Sequence, residues 1–350
     1  MKGMFRPIWL LRIGAGIVTA CCLILFVPWL AACAYLKPLP DSVQAQVEDA
    51  SSYALDGIIV YVDQQGKPPA FYSAGWQDRD KHIPTDPHTL FKIASISKLY
   101  IAAATAMLVA QGTLDLDTSV ADYLPELSDR LENAKVITLK MLLQHRSGIP
   151  DWVDDPEFPW TESFPEVSQY LALVVDDPAE FSPNSQYEYS NTNYLLIGDI
   201  LDRVLGYPHQ RYIRANILAP LGLTQTYGLL EEVDASKVSS GYYIGYDGDV
   251  KMLDIVVPGG SMIATAEDTG RFLRALNDGS LLSKEEQAIY SSVYEYEHTG
   301  LWPGYSSIAR YHRDLDTVVI QFVNTSGGNS WMITEIIYNR IIKILRRQHI

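Results

Sequence analysis

From Leu99 to Gln111 the chain runs with almost no polar side chain, and Leu99, Ala102, Ala103, Ala106, Met107, Val109 and Ala110 leave it apolar on nearly every face. A helix of that kind has no side to show to water and lies in the centre of a protein. The rest of the fold must therefore be built around it. The one charge it carries is Lys98 at its leading end, three residues after Ser95 in Phe91-Lys92-Ile93-Ala94-Ser95-Ile96-Ser97-Lys98. If the helix starts near Ser95, the two side chains stack on one face, at the positive end of the helix. A buried amine is costly and needs a reason. A desolvated lysine can be neutral enough to take a hydroxyl's proton, which makes Ser95 a candidate nucleophile and Lys98 its base. The plainer alternative is that Ser95 caps a helix and Lys98 lies at the surface.

The 350 residues are 47% hydrophobic, which specifies an ordered globular protein rather than a disordered one. A net charge of −15 argues against nucleic acid as a partner, since that needs basic patches. It fits solubility outside an anionic membrane and says little about substrate. Lys2, Arg6 and Arg12 precede an uncharged run from Ile13 to Leu36. At about 1.5 Å per residue the run is long enough to cross a hydrocarbon core of about 30 Å. The positive flank then stays cytoplasmic and the rest lies outside; Pro28 weakens a single straight helix without forbidding one. Within the run, Leu30-Ala31-Ala32-Cys33 resembles the bacterial lipoprotein signal box. That resemblance implies a lipid on Cys33, which becomes the new N-terminus; a plain signal peptide and an uncleaved anchor are the alternatives. All three cysteines, Cys21, Cys22 and Cys33, fall in this segment. The body after residue 40 thus has no disulfide and no thiol chemistry, and must be stable by its core.

Residues 1–40 accordingly read as signal or membrane anchor and linker, and 41–350 as the folded body. Lys37 to Ser51 leads into a first helix or strand. Gly57-Ile58-Ile59-Val60-Tyr61-Val62 is strand-like, Gln64-Gln65-Gly66 turns, and Ala70 to Gly75 returns. Leu139 to His145 predicts a helix capped by Thr138. Phe164 to Val175, Tyr194 to Leu205 and Gln210 to Leu221 predict three more. Asp151 to Glu162, acidic and carrying Trp152, Phe158 and Trp160, is too irregular for an element and too aromatic for disorder. It reads as an ordered loop near the site, or as a surface loop with buried tryptophans. Val233 to Pro258 reads as loops with short strands, and Thr265-Ala266-Glu267-Asp268 opens a helix reaching Leu276. Tyr305 to Arg310 and Thr317 to Val323 read as strands, and Trp331 to Arg347 as a helix whose last turns are basic. Strands near both ends and helices between them predict an α+β fold. One antiparallel sheet forms from both chain ends, with the terminal helix on one face, the nucleophile helix on the other, and a mostly helical lobe inserted. Residues 41–115 with 255–350 make the α/β part and 116–254 the lobe, with a site expected in the cleft between them.

Two further motifs supply partners. Tyr189-Ser190-Asn191 precedes a helix; its tyrosine can act as general base or acid if a nearby amine such as Lys98 favours the phenolate. Asn191 can donate to a substrate carbonyl. His298-Thr299-Gly300 precedes Leu301-Trp302-Pro303-Gly304 and a strand. If Gly300 lies on a strand at the cleft edge, its missing side chain lets a substrate lie close. The backbone N–H of Leu301 then joins that of Ser95 in an oxyanion hole. His298 tunes the charge of the cluster, and Thr299 binds a substrate carboxylate. Taken singly, a tyrosine loop and a His-Thr-Gly turn are commonplace.

Ser-x-x-Lys, Tyr-x-Asn and His-Thr-Gly, in this order and at wide spacing, resemble the penicillin-recognising serine hydrolases: class C β-lactamases, D-Ala-D-Ala peptidases and related esterases. The stretches Phe91 to Lys98, Leu142 to Pro150, Tyr189 to Gly198, Gly259 to Asp268 and His298 to Ser307 resemble the family too. The resemblance implies a β-lactamase/transpeptidase-like fold. It makes Ser95 the acylated nucleophile, Lys98 its proton acceptor, Tyr189 a sharer in proton transfer and Asn191 the holder of the substrate amide. His298 stands where many relatives have lysine, which leaves open how a substrate carboxylate is held, since neutral histidine has no fixed charge. No Gly-x-Ser-x-Gly elbow and no His-Glu-x-x-His zinc motif occurs, and no metal or cofactor is expected. The implied activity is an extracytoplasmic hydrolase acting on small molecules or cell-wall peptides, as a D-Ala-D-Ala peptidase or β-lactamase relative. An esterase or amidase, and a non-catalytic membrane-held binding or sensing module, are the alternatives. The interval between Tyr189 and His298 is short for a full-sized class C β-lactamase.

Overall fold

The computed structural model describes residues 8–160, 162 and 164–349. Its frame is a six-stranded antiparallel sheet in the order Ile83–Pro84, Ala70–Asp78, Gly57–Gln64, Thr317–Val323, Tyr305–His312, His298–Trp302. The two central strands come from opposite ends of the chain and pair from Ile58 with Val323 to Gln64 with Thr317. Both of their faces are covered, which is why Ile58-Ile59-Val60-Tyr61-Val62 is an unbroken apolar run rather than an alternating one.

Successive side chains point to opposite faces of the sheet. Ile58, Val60, Val319 and Val323 pack with Ile337 and Ile341 of the terminal helix Ser330–His349. Each isoleucine fully buried there contributes roughly 1.5–3 kcal/mol. Ile59, Tyr61, Ile320 and Phe322 face the larger core. The helix lying against this second face is Ala266–Asp278, where the sequence suggested the nucleophile helix. Gly270 allows that close approach, because a Cβ there would lie 2.3 Å from Tyr61 Cε1. The nucleophile helix, Ser97–Ala110, stands one layer further in, with Tyr100 stacked on Phe272 at 3.6 Å between ring centroids. It is buried continuously from Ser97 to Leu108, as its composition demands.

The region between the sheet halves carries Leu139–Leu143, capped by Thr138 Oγ, and the long helix Asn191–Leu205. The helix expected over Phe164 to Val175 is confined to Val167–Leu171; Val174-Val175-Asp176-Asp177-Pro178 holds weak helix formers and a proline. That expected over Gln210 to Leu221 is split into His209–Ile213, a π turn over Arg214–Leu218, and Ala219–Leu221. Several elements escaped the sequence reading, two of which bear on the site. One is the helix Lys284–Val293, capped by Ser283 and Glu286. The other is a small sheet in which Ile263–Ala264 pairs with both Phe91–Lys92 and Thr226–Tyr227, bracing the strand that leads to Ser95.

The uncharged N-terminal run is broken at Pro28: its first part belongs to the helix Ile8–Phe26, which also takes in Arg12, and its second part is the helix Trp29–Leu36. Among the described residues no helix is long and apolar enough to cross a membrane. Ala31 and Ala34 pack into the core beneath the terminal helix, while Cys33 is exposed. Lys2 and Arg6, from the positive flank, lie outside the described residues. The segment that follows is ordered. Ser42 caps the helix Val43–Ala50. Arg340, buried in the terminal helix, donates to Gln46 Oε1 at 2.6 Å and to the carbonyls of Lys37 and Pro38 at 2.7 and 2.9 Å.

Candidate active site

Ser95 lies on the 3-10 turn Ala94–Ile96 that feeds the nucleophile helix, not on the helix itself. Ala94 holds φ at +48°, a left-handed backbone that costs a residue with a Cβ about 1–2 kcal/mol. The surroundings fix the turn. Ser97 Oγ donates to the Ala94 carbonyl at 2.6 Å and accepts from the Met262 N–H at 3.2 Å. Ser307 Oγ donates to the Ile93 carbonyl at 3.0 Å.

Lys98 Nζ is 3.1 Å from Ser95 Oγ, 2.8 Å from Asn191 Oδ1 and 3.0 Å from the Gly259 carbonyl oxygen. The side chain is fully buried, and that desolvation lowers the amine to about 7 against the opposing pull of Asp151. A neutral amine has two N–H donors and one lone pair. Asn191 Oδ1 and the Gly259 carbonyl can only accept, so they take the two donors. The lone pair is left for the third neighbour, the Ser95 hydroxyl, which is the arrangement of a base ready to receive a proton.

Tyr189 donates its hydroxyl to Ser95 Oγ at 2.9 Å. Burial raises this phenol above its ordinary range, more than the hydrogen bond to Ser95 lowers it. The expected phenolate is therefore not favoured: burial costs the charged form more than its hydrogen bond to Ser95 returns. Tyr189 keeps its proton and serves as a donor, leaving Lys98 as the group able to accept one. Asn191 bridges outward, its Nδ2 donating to Asp151 Oδ2 at 2.8 Å. Because its Oδ1 faces Lys98 and its amide N–H faces Asp151, Asn191 first of all positions the lysine.

The edge strand His298–Trp302 closes the site. Its glycine has a different task from the one expected. A Cβ on Gly300 would lie 2.3 Å from the Ile93 carbonyl oxygen and 2.4 Å from Ser307 Oγ. The missing side chain makes room for the nucleophile turn rather than for a substrate. Leu301 and Ser95 both border the cleft, as do Thr299 and His298. His298 stands beside Tyr189, 6.2 Å between ring centroids. Its Nδ1 faces the Thr299 carbonyl and so carries the proton, while Nε2 accepts from the Tyr294 hydroxyl at 2.9 Å. Burial, and then the charge of Lys98, lowers it to about 4, so it brings no positive charge near neutrality.

Several contributors were not singled out from the sequence. They are Asp151, the Gly259 carbonyl, Tyr294 and His145, which is stacked on Tyr189 at 4.4 Å between ring centroids. His145 accepts the Ser190 N–H on Nδ1 at 3.2 Å. Burial, followed by repulsion from Lys98 and His298, lowers it to about 3. It is thus a neutral plate behind the tyrosine. The loop from Asp151 reaches the site: Asp151, Val153 and Trp160 border the cleft, whose volume is about 930 Å³. Among the described residues no group of histidine, cysteine or carboxylate side chains could hold a metal ion.

The Beta-lactamase family model matches residues 39–294 of this chain, ending before His298. Protein flp of Staphylococcus aureus (strain COL) is 28% identical over 194 residues, which are 54% of this chain and 39% of that protein. Penicillin-binding protein 4* of Bacillus subtilis (strain 168) is 24% identical over 72% of this chain and 64% of its own length. The chain therefore spans less than two thirds of either protein. Among solved structures, D-amino acid amidase from Ochrobactrum anthropi SV3 superposes with a TM-score of 0.78 at 23% identity, over 87% of this chain and 98% of that one. The penicillin binding protein from Bacillus halodurans gives 0.72 at 23% identity, over 87% and 99%.

Proposed function

The chain belongs to the Beta-lactamase family and is a serine hydrolase, and from that premise we propose that it cleaves amide or ester bonds of D-amino-acid-containing, cell-wall-type peptides outside the cytoplasm, through an acyl-enzyme on Ser95. The observation that carries this reading is the environment of Lys98. A fully buried amine lowered to about 7 has its lone pair on the Ser95 hydroxyl, 3.1 Å away. Ser95 Oγ attacks the substrate carbonyl while its proton passes to Lys98 Nζ. The oxygen charge that develops faces the edge strand near Leu301. The leaving amine or alkoxide takes the proton of Tyr189, and the proton that Lys98 took from Ser95 makes the tyrosine whole again, returning the amine to its neutral form. Water then repeats the sequence on the ester. The neighbours' names support the substrate class: a D-amino acid amidase, a D-stereospecific amidohydrolase from Streptomyces sp., and penicillin-binding proteins.

The test mixes the full chain in detergent with a penicillin and follows intact mass and free drug. A lasting adduct that is absent from Ser95→Ala supports a penicillin-binding peptidase, and drug loss without an adduct a β-lactamase. An adduct that persists in Ser95→Ala refutes the nucleophile. For the location, the N-terminal run and the exposed Cys33 support a lipid-held protein. Lipid labelling that is unchanged in Cys33→Ala removes that part of the proposal.

A further inference from the structure

The charge lining of the cleft reaches beyond the reaction to the substrate. Among the described residues that border the cleft none is a lysine or arginine, while Asp151 and Asp154 are both there. Two basic groups that lie close below it are spoken for. Lys98 is fully buried, lowered to about 7, and turned toward Ser95, Asn191 Oδ1 and the Gly259 carbonyl. Lys92, also buried, donates to the Leu253 carbonyl at 2.7 Å and pairs with Asp254 at 3.5 Å. His298 is neutral.

Arginines occur only in a separate, smaller groove on the far side of Tyr189 and His298, among the described residues bordering these two spaces. There Arg146 is held by Asn184 Oδ1 and the Asn184 carbonyl, both at 2.8 Å. Arg310 lies 3.5 Å from Glu297 and over the Tyr338 ring. Further carboxylates interact with the cleft's two aspartates: burial, then Glu188, Asp154 and Asp151, raise the Glu180 carboxyl. The walls are aromatic: Trp160 and Trp302 stand 6.0 Å apart between ring centroids, and Tyr243 and Tyr246 also border the cleft.

We infer that the cleft takes acyl groups that are aromatic or aliphatic and carry an amine or no charge, and discriminates against acyl groups that carry a carboxylate. The inference rests on the proposal that Ser95 is acylated in this cleft. An anionic acyl group would enter a space bordered by two aspartates and, among the described residues, by no lysine or arginine, and would lose water without gaining a partner on the lining. A free α-amine meets Asp154, which is exposed at the rim, while its side chain lies against the tryptophans.

Three donors with one leaving group isolate the acyl charge: the p-nitroanilides of D-phenylalanine, N-acetyl-D-phenylalanine and N-succinyl-D-phenylalanine. At low salt the expected order of kcat/KM is amine, then acetyl, then succinyl, with the succinyl donor about tenfold or more below the acetyl donor. Salt compresses this spread, because Asp154 is exposed and screened. Asp154→Asn narrows the ratio of amine to acetyl donor toward one. In parallel, a fluorophosphonate probe reports by mass whether Ser95 is a live nucleophile. Labelled protein that hydrolyses the succinyl donor as well as the acetyl donor overturns the charge selectivity and leaves the nucleophile standing. Protein that neither takes the label nor turns over any of the three donors overturns the proposed reaction, and this inference with it.

Discussion

Replacing Lys98 by methionine should abolish acylation and, at neutral pH, leave the protein no less stable. Methionine keeps the length of the buried stem and removes the amine. In the folded protein the amine sits at about 7, against 10.5 in an unfolded chain. Between those values the unfolded chain binds a proton that the folded chain does not, so wild-type stability rises with pH there. The penalty is complete below pH 7, at roughly 5 kcal/mol from 3.5 pH units at about 1.4 kcal/mol each. It fades toward pH 10.5. The substitution removes this penalty but strips donors from Asn191 Oδ1 and the Gly259 carbonyl. Each buried acceptor left bare costs about 1–3 kcal/mol. The two effects nearly offset at pH 7. What survives the subtraction is the pH dependence: the stability of Lys98→Met relative to wild type should be flat from pH 5 to 6 and fall by about 2 kcal/mol between pH 7 and 9. Urea unfolding of both proteins at each pH measures it; groups that do not interact with Lys98 cancel in the difference, and His145, His298 and Asp151, which do, titrate below the pH 7 to 9 window. A constant difference across pH 7 to 9 would refute the neutral lysine. The same titration should appear in wild-type kcat/KM, which falls about tenfold per pH unit below about pH 7.

Gly300→Ala should cost about 1–3 kcal/mol by overpacking and slow acylation more than it lowers Tm, because the added methyl displaces the turn that holds Ser95 rather than a flexible side chain. A melt and an acylation time course on one sample separate the two effects; an unchanged acylation rate would show that the turn is not held by this contact. Arg340→Ala should release the segment around Lys37 and Pro38, seen as faster amide exchange over residues 37–46, with the Ser95 acylation rate kept. Exchange equal to wild type would mean that Ser42 and the helix after it hold this segment unaided.

How much of this was legible follows from where each signal resides. The central strands and the nucleophile helix could be read because full burial writes itself as uninterrupted apolar sequence. The helix Lys284–Val293 could not, since it buries chiefly Tyr290 and Val293 and shows no stripe; the pair Ser283 and Glu286 was the available sign of its start. Ser95 and Lys98 were legible because they are three residues apart and their meeting is local. Asp151 was one of 42 acidic residues, at the start of a loop read as near the site but with no residue in it singled out. Its position directly after Ile149-Pro150 and before the buried Trp152 was the local hint that this carboxylate turns inward.

The least legible property is the one on which the chemistry depends. A serine and a lysine at this spacing say nothing about whether the lysine is charged. Its neutrality comes from burial under Tyr194, Asn191 and the Gly259 backbone, which follow it in the chain by about a hundred residues or more. Gly259 itself shows how tight that cover is: a Cβ there would lie 2.8 Å from Lys98 Cγ and 3.0 Å from Tyr194 Cβ. Its carbonyl also helps decide which way the lone pair points, and a backbone carbonyl has no letter in the sequence. A chain that kept Ser95 and Lys98 but opened this cover would hold a hydrated, protonated lysine beside its serine. It would retain the motif and lose the base.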